Sequence, residues 1–71
     1  MDKYKFDNDL LKKIREQRFK SINDMATKLG VAQNLLAKWE SGSHPPTISK
    51  FLEICSILEM HPSSFFTRVV V

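Results

Sequence analysis

Cysteine and long apolar runs are scarce in this sequence, and each scarcity excludes a class of protein. The 71 residues include one cysteine, Cys55, so an intrachain disulfide is excluded and a Cys/His cluster for zinc is absent. A lone cysteine suits the reducing cytosol. No apolar run approaches the roughly 20 residues that span a bilayer, and the N-terminus lacks the pattern of a signal peptide. We therefore expect a cytoplasmic protein with no membrane segment, metal or cofactor.

Length and charge restrict the remaining classes. The chain is long enough for one domain at most, and a chain of about 60 residues buries only about 60% of its unfolded surface. Stability must then come from regular helix packing or from association with a second copy. The net charge of +3 lies in residues 1–40, which hold nine Lys or Arg against six Asp or Glu, while residues 41–71 are neutral. This distribution favours an anionic partner for the N-terminal half.

Two glycines and three prolines divide the chain into segments with helical spacing of apolar residues. The five helices predicted from this pattern span residues 9–18, 22–29, 32–41, 47–58 and 62–66. Asp7 or Asn8 is expected to cap the first helix, and Ser21 begins a Ser-x-x-Asp capping pattern. Gly30 supplies a left-handed end to the second helix, and Pro62 suits the first position of the fifth.

The two ends of the chain have a different pattern. Aromatic residues alternate with lysines between residues 3 and 6, and residues 69–71 are three β-branched valines. Two short strands could pair there, within one chain or between subunits, or both ends could fray.

The segment from residue 21 to residue 46 has the most specific pattern, with two helical stretches separated by a glycine. Alanine, glycine and two core residues stand where the helix-turn-helix of the lambda-repressor/Cro family has them: Ala26, Gly30, Leu36 and Trp39. The stretch Trp39-Glu-x-Gly-x-x-x-Pro46 resembles the segment that closes the third helix in that family. Together with residues 51–60, which resemble the fourth helix, the likeness covers about residues 9–66.

This resemblance to the lambda-repressor/Cro (XRE-type) family implies an all-α, five-helix DNA-binding domain over residues 1–71. Its helix-turn-helix would occupy residues 22–41, with an N-terminal arm at 1–7 and a C-terminal tail at 67–71. The family's function implies a sequence-specific regulator of transcription, and we expect a repressor. Because one copy reads only a few base pairs, we expect a homodimer on a palindromic operator, with half-sites about 34 Å apart or a multiple of that distance.

The resemblance also assigns structural roles. Gly30 would supply the positive φ of a tight turn, and the small Ala26 would let the third helix approach closely. Leu36 and Trp39 would hold that helix on the core. An ion pair is expected between its last part and the first helix, and this pair would add little stability if it were exposed. The two residues of the pair are Arg15 and Glu40.

The third helix, residues 32–41, is the expected recognition helix in the major groove. Gln33 and Asn34 carry amides that can pair with adenine, and Lys38 can reach guanine or a phosphate. Ala37 could touch a thymine methyl group. Contacts to the DNA backbone are expected from residues that begin the second helix or follow the third: Lys20, Ser21, Asn23, Ser41, Ser43 and His44. Without the family framework, these residues would be interpreted as a solvated polar surface and an ordinary helix cap.

Three residues depart from the family pattern. Ile22 stands where glutamine is common, so one phosphate contact is missing and Ile22 could pack as a hydrophobic staple. Leu35 replaces a small polar residue, and Glu59 stands where glycine often ends the fourth helix. Cys55 occupies a small buried position and is expected in the core.

The C-terminal apolar residues suggest where a dimer would form. Phe65, Phe66 and residues 69–71 are candidates for the contact, and core packing is the alternative. The rival function is a protein-binding module, such as an antitoxin or a partner-docking domain. An enzyme is not expected, because the sequence offers no nucleophile–base pair and no metal set, and no small-molecule substrate is evident.

Overall fold

The computed structural model describes residues 2–70, which form four α-helices and one two-stranded antiparallel sheet. In chain order the elements are β1 (Asp2–Phe6), α1 (Asn8–Arg18), α2 (Ile22–Leu29), α3 (Gln33–Ser41), α4 (Ile48–Leu58), a 3-10 turn (Pro62–Phe65) and β2 (Phe66–Val70). Met1 and Val71, the outermost residues of the expected arm and tail, lie outside the described residues.

Side-chain caps begin three of the four helices where the sequence places them. Asp7 accepts a hydrogen bond from the Leu10 amide at 3.0 Å, and Ser21 accepts one from Asp24 at 3.2 Å. Thr47 caps α4 in the same way. The third helix begins one residue later than predicted, because Ala32 has an extended backbone and no side chain that could act as a cap. Gln33 is therefore the first residue of α3.

Left-handed residues end three helices. Gly30 ends α2 at φ 72° and Gly42 ends α3 at φ 85°, a conformation that glycine adopts without steric cost. Glu59 ends α4 at φ 55° although it carries a Cβ atom, so the missing glycine has not changed the geometry of this end. The amide of Met60 closes the turn by donating to the Cys55 carbonyl at 3.0 Å.

The prediction of a fifth helix at residues 62–66 is wrong. Pro62 begins a single 3-10 turn that ends at Phe65, and Phe66 already belongs to a strand. The all-α fold is corrected for the same reason, since β1 and β2 pair with Phe6 opposite Phe66 and Lys3 opposite Val69. Pairing of the two ends within one chain was one of the outcomes that the sequence left open.

The core lies between the four helices, the 3-10 turn and the inner end of the sheet. Among the described residues, eleven apolar ones are buried there: Leu11, Met25, Ala26, Leu29, Leu36, Trp39, Phe51, Ile54, Cys55, Leu58 and Phe65. The aromatic ring of Phe6 joins the sheet to this core, with its centroid 5.7 Å from Phe51 and 6.0 Å from Phe65. Phe65 is fully buried, so the interpretation of this residue as dimer surface is wrong and the core alternative holds.

Candidate nucleic-acid interface

The third helix is buried on one side and polar on the other. Leu36 is fully buried and Trp39 nearly so, and both pack into the core. The side chains that were expected to contact bases are all exposed: Gln33, Asn34, Ala37 and Lys38. Their spacing of one, four and five residues places them on one face of an α-helix. The buried residues thus fix which side of α3 meets solvent.

A tight turn fixes α3 relative to α2. Ala26 is buried, and its carbonyl accepts a hydrogen bond from the amide of Val31 at 3.0 Å. The Gly30 amide donates to the Thr27 carbonyl at 3.1 Å. No atom outside the adjacent residues lies within 4 Å of the position that a Cβ on Gly30 would take, so backbone conformation rather than space demands glycine there.

A buried ion pair joins α1 to the end of α3. Arg15 Nε donates to Glu40 Oε2 at 2.9 Å, and Nη2 donates to Oε1 at 2.8 Å. The two side chains are only 11% and 5% exposed, so this pair is not the exposed kind that adds little stability. The hydrogen bonds that Arg15 donates to the Glu40 carboxylate raise the pKa of the guanidinium, against the opposing effect of burial. Arg15 therefore stays charged and can hold Glu40 in one orientation.

Asn8 makes a second link between α1 and the end of α3, which sequence reasoning missed. Its Nδ2 donates to the backbone carbonyl of Glu40 at 2.9 Å. Its Oδ1 would lie 3.1 Å from a Cβ atom placed on Gly42. The sequence suggested Asn8 only as an alternative cap, and no local pattern signals a contact between residues 32 positions apart.

An open recess of about 300 Å³ lies beside the exposed face of α3. Its lining comes from three helices: Lys12, Arg15, Ile22, Ala37, Glu40 and Ser41. Ile22 is half-buried against the core, so it packs where a polar side chain was typical of the family. The recess combines an apolar wall with the exposed lysine Lys12, a combination that suits the sugar and phosphate groups of a DNA strand.

The expected backbone-contact residues fall into two groups. Lys20, Ser21 and Asn23 lie at the start of α2, where Ser21 also serves as the cap. The other group is the end of α3 and the loop after it, in which the hydroxyl groups of Ser41 and Ser43 are 3.0 Å apart. His44 Nδ1 lies 2.7 Å from the Ser43 carbonyl, a contact that orients the ring.

Two other kinds of function find no support in the described part of the chain. Within residues 2–70, no three His, Cys, Asp or Glu side chains are grouped so that they could hold a metal ion. None of the helices there is long and apolar enough to cross a membrane.

The chain was compared with models of known protein families, with curated proteins and with solved structures. A family model described as a helix-turn-helix domain matches residues 8–70. No curated protein and no solved structure matches the chain. The matched range includes α1 to α4 and β2 but begins after β1, so the first strand is not part of the family likeness.

Proposed function

Because the chain belongs to the helix-turn-helix domain family, we propose that it binds duplex DNA with sequence preference and represses transcription. One observation carries this proposal: α3 is anchored by its buried side and by the Arg15–Glu40 pair, and it presents a polar face to solvent. The major groove, about 12 Å wide, admits a helix of this kind. We also propose that the protein is cytoplasmic, because a regulator that binds DNA has to act inside the cell.

Base contacts are assigned to the exposed face of α3. Gln33 and Asn34 begin the helix, where recognition helices reach base edges, and their amides fit the donor and acceptor pattern of adenine. Lys38 lies about one turn further along and suits guanine or a phosphate. Ala37, between them on the same face, suits a thymine methyl group.

Backbone contacts are assigned to both ends of the helix-turn-helix. The start of α2, with Ser21 and Asn23, offers amide groups and the positive end of a helix dipole to a phosphate. Lys20 stands beside it. At the other end, the residues in position are Ser41, Ser43 and His44.

We also propose a homodimer on a palindromic operator, with contact through the C-terminal strand. Phe66 is 44% exposed and Val69, on the other face of β2, is 40% exposed. A contact that uses both would run along the edge of β2 that pairs with no strand among the described residues. Phe66 also borders an apolar recess of about 180 Å³ together with Ile48 and Pro46. The remaining valines, at residues 70 and 71, carry no assignment, because their side chains are outside the described part of the chain.

Selection of bound sites from a random duplex library tests the proposal and its dimeric form together. The selected sites should share two inverted half-sites about 34 Å apart or a multiple of that distance. Their affinity for the protein, followed by fluorescence anisotropy, should fall with salt. A selection that yields one unrepeated half-site would contradict the dimer but not DNA binding.

The variant Gln33→Ala then tests the assignment of base contacts. It should cost about 1–3 kcal/mol on the selected site and relax the preference at one position of each half-site. Gln17→Ala is the matched control, because Gln17 is an exposed glutamine of α1. It lies about 140° around that helix from Lys12, the α1 lysine that lines the recess beside α3. Equal losses of affinity in the two variants would contradict the assignment of Gln33 as a base contact.

A protein-binding module is the second candidate, and exposed apolar side chains favour it. Ile48 is 73% exposed and Leu52 is 52% exposed, although both belong to α4. If the folded protein shows no salt-dependent binding to any duplex, the protein-binding function is favoured over the repressor function.

A further inference from the structure

Two lysines of β1 share one face of the terminal sheet. Lys3 and Lys5 are two residues apart in the strand, so their side chains point to the same side. Their cross-strand partners are Val69 and Thr67. The alternate residue Phe6 packs against the core, which means that the lysines point away from it.

This lysine face begins at the end of the recognition helix. Lys5 borders an open recess of about 210 Å³ whose other walls include Asn8, Gly42 and His44. Gly42 ends α3, and His44 belongs to the loop that is proposed to hold the DNA backbone. The recess therefore connects β1 with one end of the proposed DNA-binding surface.

Both lysines keep their charge available for a ligand. Each is exposed, and neither forms an ion pair with a side chain that the structure describes. The neighbouring carboxylate of Asp7 is directed to other donors, since its two oxygens accept hydrogen bonds from the Leu10 amide and from the Thr67 hydroxyl. Among the described side chains, the Lys3–Lys5 face is therefore cationic and unpaired with any carboxylate.

We infer that Lys3, Lys5 and the recess beside His44 form an additional binding site for the phosphates of the DNA backbone. The inference rests on the proposed function and extends the protein's footprint on DNA to β1, which the family model does not include. Duplex DNA carries about one negative charge per 1.7 Å of helix axis. Because Lys5 lies beside the loop that is proposed to hold the DNA backbone, the charge of this strand is placed for phosphates. Its contribution is independent of base sequence and depends on salt.

The test compares the salt dependence of duplex binding in the wild type and in the double variant Lys3→Gln, Lys5→Gln. Each phosphate contact contributes about 0.9 to the slope of log affinity against log salt, so the slope should fall by about 1.8. Between 50 and 200 mM salt, the wild type should lose about tenfold more affinity than the variant. The ranking of preferred sequences should not change, because no base contact is removed.

Two control variants separate this site from a general effect of charge. Lys13→Gln, Lys28→Gln removes the same charge from exposed positions of α1 and α2 and should leave the slope near the wild-type value. Lys3→Arg, Lys5→Arg keeps the charge and should also keep the slope. Thermal unfolding of each variant confirms that the sheet and the core are intact.

The outcomes distinguish the two proposals. An unchanged slope in the Lys3→Gln, Lys5→Gln variant, with normal wild-type binding, overturns the additional site and leaves the DNA-binding proposal standing. An equal fall in the Lys13→Gln, Lys28→Gln control also overturns it, because the effect would then belong to net charge. Absence of salt-dependent binding by the wild type contradicts the proposed function, and the additional site with it.

Discussion

Arg15 and Glu40 meet through two separate hydrogen bonds, each between a different nitrogen and a different oxygen, in a place that is nearly closed to water. Both charges have lost most of their hydration, which costs free energy. The attraction between them offsets that cost only while both partners are present. Among the described residues, no buried side-chain nitrogen or oxygen lacks a hydrogen-bond partner. The pair therefore locks the end of α3 to α1.

Replacing Glu40 by alanine should destabilise the fold by about 3–5 kcal/mol, because the Arg15 guanidinium would remain buried without a partner. Urea denaturation measures the loss, and Gln17→Ala on the exposed side of α1 is the control, with an expected change within about 0.5 kcal/mol. The double variant Arg15→Met, Glu40→Leu removes both charges and should regain much of the stability. A double variant that is no more stable than Glu40→Ala would contradict this explanation.

Gly42→Ala should cost more than Gly30→Ala. Both substitutions place a side chain at positive φ, at a cost of about 1–2 kcal/mol. The new Cβ at residue 42 would also approach Asn8 Oδ1 to 3.1 Å and disturb the bond from Asn8 to the Glu40 carbonyl. A double-mutant cycle with Asn8→Ala, measured by urea denaturation, should show coupling between positions 8 and 42. If the changes in unfolding free energy are additive, Asn8 does not interact with the side chain at position 42.

Glu59→Gly should stabilise the protein. Relief of the left-handed strain at φ 55° is worth about 1–2 kcal/mol, and the greater freedom of glycine in the unfolded chain removes about 0.5–1 kcal/mol of that. The net gain should raise the melting temperature by a few degrees, since about 1 kcal/mol corresponds to roughly 4–8 °C in a domain of this size. Glu53→Gly, within α4, should have the opposite effect.

Alkaline pH should weaken the fold through Cys55. Burial raises the pKa of its thiol, so the folded protein keeps the proton at a pH where the unfolded chain, with a pKa of about 8.5, releases it. The stability that depends on the neutral thiol is complete below about pH 8.5 and is lost as the pH rises through the folded-state pKa. The wild type and Cys55→Ala should be unfolded by urea at a pH below about 8.5 and again at a pH above the folded-state pKa of the thiol. The difference in unfolding free energy between the two proteins should be smaller at the higher pH. A constant difference would contradict the effect.

Local chemistry explains which parts of the fold could be predicted. Ser21, Thr47 and Gly30 act on backbone groups within a few residues, so the sequence pattern alone indicated the helix ends there. The fifth helix could not be excluded in this way, because Phe66 leaves the helical conformation to pair with Phe6, 60 residues earlier. Strand pairing at this separation depends on how the helices between the strands pack.

The same distinction applies to the candidate site. The Arg15–Glu40 pair is present as the family resemblance implied, whereas composition and spacing alone gave no reason for it. Asn8 donates to a backbone carbonyl, and because every residue has one, no sequence pattern indicates which carbonyl is the acceptor. The polar face of α3 followed from helical spacing once Leu36 and Trp39 were assigned to the core. Its contacts with DNA remain predictions.

The pairing of β1 with β2 has a consequence for how the protein opens. Pairing Phe6 with Phe66 closes nearly the whole chain into one loop, which costs conformational entropy. That cost must be offset before pairing of the strands can stabilise the fold. Packed helices supply the compensation by bringing Asp7 and Phe65 together, where the Asp7 amide donates to the Phe65 carbonyl at 2.6 Å. We therefore expect the strands to form last and separate first. Their amide hydrogens should exchange with solvent through local opening, while those of α1 and α4 should exchange only on global unfolding.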